Sequence, residues 1–235
     1  MEQMTIPTEK HPLEPFLPQR AKVLMLGSFP PSRKRWSMDF FYPNWINDMW
    51  RIMGHVFYGD REHFVWKDPE DGKAVRKFDR ERIADFCTEK GIALYDTASE
   101  VRRLKDNASD KFLEVVQATD IKALLDRIPE CGAIVTTGQK ATEVICEVFG
   151  CGMPAVGNWT ECSFDSIGHP EPLNPGESRV FSQERCTRSL RFWRMPSSSR
   201  AYPLPLEKKA EHYRLMFVTE GIINLTFASA KVPCF

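Results

Sequence analysis

The chain of 235 residues predicts an α/β fold, with three α/β/α layers built around a four-stranded, mainly parallel sheet. Two observations carry this expectation. Four short apolar runs begin near residues 22, 92, 133 and 190, and each stops abruptly at small, polar or aromatic residues. Between and after these runs lie segments with helical apolar spacing. Strands joined through helices require parallel crossovers, and a parallel sheet needs both faces covered.

Val23-Leu24-Met25-Leu26 reads as a buried strand that delivers a tight loop, Gly27-Ser28-Phe29-Pro30-Pro31. Arg80 to Lys90 reads as a helix capped by Gly91 and followed by the strand Ile92-Ala93-Leu94-Tyr95. The strand Ala133 to Thr137 ends at Gly138 and leads into a helix over Ala141 to Phe149. Leu190 to Arg194 ends at Met195-Pro196-Ser197, with a further helical pattern over Leu206 to Phe217. Residues 151–188 read as a hairpin-and-loop insertion, residues 1–20 as an N-terminal extension, and residues 21–235 as one domain. Parallel sheets bind ligands at the carboxyl ends of their strands, so the four strand ends should converge on one cleft.

Composition excludes several classes. Lys plus Arg and Asp plus Glu each number 32, and this zero net charge offers no general adhesion to polyanions. Only local charge can argue for nucleic acid. No apolar run is long enough to cross a bilayer, and the polar, proline-punctuated start has no secretory pattern, so a cytoplasmic protein without membrane contact is expected. The seven cysteines, at 87, 131, 146, 151, 162, 186 and 234, form no CxxC pair and no zinc-like spacing. We expect no metal and no cofactor, reduced thiols, and a monomer.

Four motifs stand at the strand ends. They are Gly27-Ser28-Phe29-Pro30 with Asn47-Asp48-Met49-Trp50 beyond it, Gly91-Ile92-Ala93-Leu94-Tyr95-Asp96, Thr137-Gly138-Gln139-Lys140-Ala141, and Met195-Pro196-Ser197-Ser198-Ser199-Arg200-Ala201. In this order they resemble the uracil-DNA glycosylase superfamily, most closely its hypoxanthine-DNA glycosylase branch. The corresponding elements of that branch are Gly-Ser-Phe-Pro, Asn-x-Phe-Trp, Gly-Ile-Ala-Leu-Trp-Asp, Asn-Gly-x-x-Ala and Leu-Pro-Ser-Thr-Ser-Pro-Ala. Two positions depart from the uracil-excising members. Phe29 stands where those enzymes carry a water-activating Asp, and Met195 stands where a His opens the last motif. Gly168-His169-Pro170 superficially matches that His motif but follows no clear strand. No iron-sulfur cluster is implied, since the cluster-bearing members place cysteines ahead of the first motif and the first cysteine here is Cys87.

The resemblance implies a monofunctional glycosylase that hydrolyses the N-glycosidic bond of a deaminated base, uracil or hypoxanthine, in DNA. Its catalytic candidates are Asn47, which could orient water, and Ser197 and Ser198, read as opening a helix and stabilising the leaving base. Ser28, Phe29, Tyr42, Tyr95 and Asp96 would bind the base; an ionised Asp accepts the ring N–H that deaminated bases carry and cytosine and adenine lack. Arg33, Lys34, Arg35, Ser199 and Arg200 would hold DNA. Trp45 and Trp50 read as packing beneath the first loop, and Arg191 and Arg194, which alternate along a strand, as facing water. Two other readings stay open: a non-catalytic DNA-binding or damage-sensing protein of the same fold, and an enzyme acting on a free nucleoside or nucleotide.

Overall fold

The computed structural model describes residues 6–105, 110–167 and 185–224. In chain order, β1 (Thr8–Lys10) and β2 (Val23–Gly27) are followed by α1 (Met49–Tyr58), a hairpin of β3 (Val65–Lys67) and β4 (Ala74–Phe78), and α2 (Arg80–Lys90). Then come β5 (Ile92–Asp96), β6 (Ala98–Arg103), β7 (Leu113–Ala118), α3 (Ile121–Asp126) and β8 (Ala133–Thr136). The remaining elements are α4 (Gln139–Phe149), β9 (Asn158–Ile167), β10 (Arg185–Arg194) and α5 (Leu206–Thr219).

The central sheet has the order β5-β2-β8-β10-β9. Its first four strands are parallel, as the periodicity predicts. The fifth, β9, runs antiparallel to β10 over ten residues of each strand, so the sheet holds five strands rather than four. The segment read as an insertion thus contributes an edge strand. Its covered positions, Cys162, Phe164 and Ser166, alternate with exposed Glu161, Ser163 and Asp165, a pattern too polar to register as a buried run. Two smaller sheets, β1-β6-β7 and β3-β4, add to the main one. Residues 8–10 belong to the first of these, and Phe16 bridges to Leu94, which ties the N-terminal segment onto the sheet.

Local chemistry accounts for the elements that position the strand ends. β2, β5 and β8 are buried almost throughout, as strands covered on both faces must be. The side chain of Asp79 accepts the N–H of Arg82 to open α2, and Gly91, at φ 67°, closes it in the left-handed conformation that favours glycine. α5 starts at Leu206 because Pro203 and Pro205 precede it and Pro205 is its N-cap.

Alternation along β10 assigns the layers. Arg191 and Trp193 share one face, where both bond to Glu220 at the end of α5. Arg188 lies on the other face and donates to the carbonyls of Leu125, Pro129 and Cys131 at and beyond the end of α3. Helices therefore cover both faces. Phe57 of α1 meets Phe86 of α2 and Phe217 of α5, and Phe149 of α4 meets Phe164 of β9. None of the described helices is long and apolar enough to cross a membrane.

Arg191 does not simply face water. Its guanidinium donates twice to Glu220, at 2.8 and 2.9 Å, and Trp193 Nε1 donates to the same carboxylate at 2.6 Å. Arg194 likewise donates to the Pro154 carbonyl and to Gln139 Oε1. The Glu220 side chain is 3% exposed, so Glu220→Ala leaves a buried indole N–H and a guanidinium without their acceptor. We expect a cost of about 2 to 3 kcal/mol. In contrast, Glu211→Ala, which removes only the exposed pair with Lys208, should cost less than about 0.5 kcal/mol. Urea unfolding midpoints check both; equal losses would show that Glu220 is not the link between α5 and β10.

Candidate active site

Register brings the strand ends to one level. Gly27 lies opposite Asp96, and Leu26 and Arg194 both lie opposite Thr136. The chain leaves β2 for β5 on one side and then crosses to β8 on the other. This reversal opens a crevice at the carboxyl ends, the usual place for a ligand in such sheets. The observed cleft has a volume of about 720 Å³ and is lined from every strand-end loop.

Asp96 ends β5 and forms part of the cleft wall, only 8% exposed. Its Oδ1 lies so close to Gly27 that a Cβ there would stand 2.3 Å from the oxygen, far inside van der Waals contact. Gly27 sits in strand backbone that any residue adopts, so the carboxylate and not the backbone demands glycine. Oδ2 lies 2.9 Å from Nε2 of His11. The Asp96 carbonyl accepts from Thr119 Oγ1 at 2.8 Å, which fixes the end of the strand.

The first loop supplies the next wall. Phe29 is mostly buried in a satellite cluster with Ala98, Val101 and Leu113, and still lines the cleft. Tyr42 has φ 50°, unusual for a residue with a side chain, and its hydroxyl meets Thr137 Oγ1 at 3.0 Å across the cleft. Burial first, and the nearby Asp96 charge second, push the Tyr42 phenol far above its ordinary pKa, so it stays protonated. Asn47 lines the cleft half-buried, with Oδ1 accepting the N–H of Met49 at the start of α1. Trp50 is buried with Nε1 on the Phe41 carbonyl, and Trp45 packs on Phe78 with Arg51 over its ring.

The serine loop completes the site. Residues Asn47 and Ser199 form a β-bridge, and Asp48 N–H donates to the Ser198 carbonyl at 2.9 Å. Ser197 to Ser199 do not open a helix, because the prolines delay α5 to residue 206. The Ser197 hydroxyl accepts from the Ser199 N–H, and the Ser199 hydroxyl from the Ala201 N–H. These backbone donors are consumed within the loop. Beneath it, Lys209, 1% exposed, donates to the Ser199 carbonyl at 2.7 Å. Burial pulls the Lys209 ammonium below its ordinary pKa, and Asp48 partly offsets this.

The cleft thus gathers Ser28, Phe29, Arg35, Tyr42, Asn47, Asp96, Ser197, Ser198, Ser199 and Arg200. Tyr95 does not line the cleft: its ring packs against His11 and Phe41, and burial raises its phenol pKa. Arg33 pairs with Asp39, stacks on Trp36 and faces a neighbouring recess, and Lys34 lines neither. Arg35 Nε is buried with no hydrogen-bond partner among the described residues. Arg200 spends Nε on Asp48 at 2.8 Å. His169 lies outside the described residues. The cleft also holds Arg103, Lys111 and Thr137, while His11 stands behind Asp96; no local motif marked the first two or His11, since long-range pairing of β1, β6 and β7 delivers them.

No family model matches the sequence, and no curated protein matches it. Among solved structures, the solution NMR structure of "a putative Uracil DNA glycosylase" from Methanosarcina acetivorans is similar over 88% of this chain and 97% of that one. The TM-score is 0.51 at 18% sequence identity. At that identity the likeness establishes the fold: this chain has a uracil-DNA-glycosylase-like α/β fold.

Contact between Gly27 and Asp96 gives a direct test. Gly27→Ala should cost about 1 to 3 kcal/mol in the native chain, the range for forcing atoms into a filled site. In an Asp96→Ala background the same change should cost almost nothing, because the opposing oxygen is gone. Additive losses in this thermal-unfolding cycle would mean that Gly27 is needed for another reason.

Proposed function

We infer that this protein is a monofunctional DNA glycosylase that removes a deaminated base, uracil or hypoxanthine. One observation carries the reading: a single cleft combines a carboxylate able to read a ring N–H, an aromatic wall, an amide, hydroxyls and a guanidinium whose Nε has no hydrogen-bond partner among the described residues. A base extruded from DNA would meet Tyr42 and Phe29 as walls and Asp96 Oδ1 as acceptor. Uracil at N3 and hypoxanthine at N1 present the N–H that this acceptor needs; cytosine and adenine do not.

Cleavage of the glycosidic bond passes through a sugar with oxocarbenium character, so water must be held on one side and charge on the departing base stabilised on the other. Asn47 suits the first task in a restricted way. Its Oδ1 is occupied by Met49, leaving the amide N–H groups to hold a water oxygen without removing its proton. The O–H of Ser197 can donate to the leaving base, because among the described residues that oxygen acts as acceptor for the Ser199 N–H. The guanidinium of Arg35, which borders the cleft and whose Nε has no acceptor among the described residues, suits a phosphate beside the extruded nucleotide. Ser199 and Arg200 act chiefly by joining the serine loop to α1. Occupation of Asn47 Oδ1 also favours a second reading, recognition of the damaged base without cleavage.

Incubation with oligonucleotides carrying uracil, hypoxanthine or xanthine should leave alkali-labile abasic sites with at least one of the first two. Base-specific binding without such sites would select the second reading. Asn47→Ala should slow base release about 100-fold, as expected when a positioned water is lost, beyond what losing the Met49 N–H bond, about 1 kcal/mol, could do to a folded protein. Unchanged release in this variant would place water activation elsewhere.

Salt dependence tests the cation assignment. Arg35→Gln should reduce the slope of log affinity against log salt by about 1, as expected when one phosphate contact is lost. Arg33→Gln should leave the slope nearly unchanged, since Arg33 pairs with Asp39 away from the cleft. The opposite ranking would move the DNA path to the neighbouring recess.

A further inference from the structure

The N-terminal segment places one histidine behind the cleft wall. His11 Nε2 lies 2.9 Å from Asp96 Oδ2, and the His11 side chain is 2% exposed. Its other ring nitrogen is enclosed by the chain's own turn, with Nδ1 2.8 Å from the Leu13 carbonyl oxygen and 3.2 Å from the Leu13 N. The ring is wedged against Tyr95, Phe29 and Phe41, with centroids 4.6, 5.3 and 6.3 Å away. Its backbone is held as well. Lys10 pairs with Glu100 at the end of β1, and the His11 N–H donates to the Ser99 carbonyl at 2.8 Å.

Protonation follows from these contacts. If Nε2 were bare, its lone pair would face an oxygen lone pair of the Asp96 carboxylate at hydrogen-bond distance. With Asp96 ionised, Nε2 carries a proton and donates it to Oδ2, whether Nδ1 accepts from the Leu13 N–H or donates to the Leu13 carbonyl. The bond has two consequences. It stops rotation of the carboxylate, so Oδ1 remains over Gly27, which with Asp96 lines the cleft, and is the oxygen left to accept. It also draws negative charge toward Oδ2, which lessens the repulsion between Asp96 and a base that gains negative charge as it leaves.

We propose that His11 is a positioning residue that sets base selectivity by holding the Asp96 carboxylate with Oδ1 alone open to a ring N–H. This rests on the glycosylase reading of the same cleft. His11 need not touch the substrate to act, and a merely structural His11 would alter stability without altering the choice between bases.

The test uses the full chain with His11→Leu, which fills the aromatic cage without a donor, and His11→Gln, which keeps an N–H near Oδ2. Competing oligonucleotides would carry hypoxanthine against adenine and uracil against cytosine, with bound fraction read by fluorescence anisotropy and base release read separately. His11→Leu should lower the preference for the deaminated base about tenfold or more, and His11→Gln should stay within about threefold of the native protein. Native-like preference in folded His11→Leu would overturn the proposal while leaving the cleft's function standing. Absence of any preference in the unmodified protein would overturn both. Should His11→Leu fail to fold, long-range nitrogen–proton spectra of the unmodified protein decide: a protonated Nε2 supports the proposal, and a bare Nε2 overturns it.

Discussion

A carboxylate oxygen occupies the space in which residue 27 would place a side chain, and the organisation of the cleft follows from that contact. Asp96 can stand there only because β2 and β5 run parallel in a register that sets Gly27 beside it. The same register carries Leu26 level with Thr136, and β10 repeats that level through Arg194. A slip of one residue would send Asp96 to the other face of the sheet and Tyr95 into its place. The continuous burial of the three apolar strands opposes any such slip.

Rigidity of the two flanking loops comes from cross-ties between segments distant in sequence. The Asn47–Ser199 bridge, the Asp48–Ser198 hydrogen bond and the Arg200–Asp48 pair join the start of α1 to the serine loop. Arg200 is half exposed, and exposed ion pairs contribute little. The buried Lys209 beneath the loop matters more, because its ammonium must find acceptors or lose its charge. Polar groups at this end of the sheet are largely committed to one another. Such commitment holds donors and acceptors in place before a ligand arrives, and it leaves few of them free to bind one.

Charge behaves in the same way. The chain is neutral overall, yet Arg35, Arg103, Lys111 and Arg200 all border the cleft. Arg103 is tied to Glu9 by two 3.0 Å hydrogen bonds and also donates to the Pro30 carbonyl, which makes it a brace for the first loop. Arg35 differs in having a buried nitrogen without an acceptor among the described residues. A basic residue near a cleft can thus be a strut or a ligand-binding group, and only its partners distinguish the two.

Features governed by neighbours in sequence were legible without coordinates. Apolar runs marked the four parallel strands, Gly91 marked the end of α2, and the small residues after each run marked the cleft, since periodicity and backbone freedom are local properties. The pairing of distant segments had no such mark. β9 is a half-covered edge whose alternation rests on Cys162 and Phe164, so it reads as part of a hairpin-and-loop insertion and not as a strand of the main sheet. The serine loop looked like a helix start until the prolines after it were seen to postpone α5. His11 lay in a stretch set apart as an extension, and Arg103 in a charged strand without a motif. The sequence by itself determined which residues end the buried strands, because burial on both faces demands continuous apolar runs. Tertiary structure alone decided which groups face each other across those ends, because hydrogen-bond partners 85 residues apart, as His11 and Asp96 are, meet through strand pairing that no local pattern encodes.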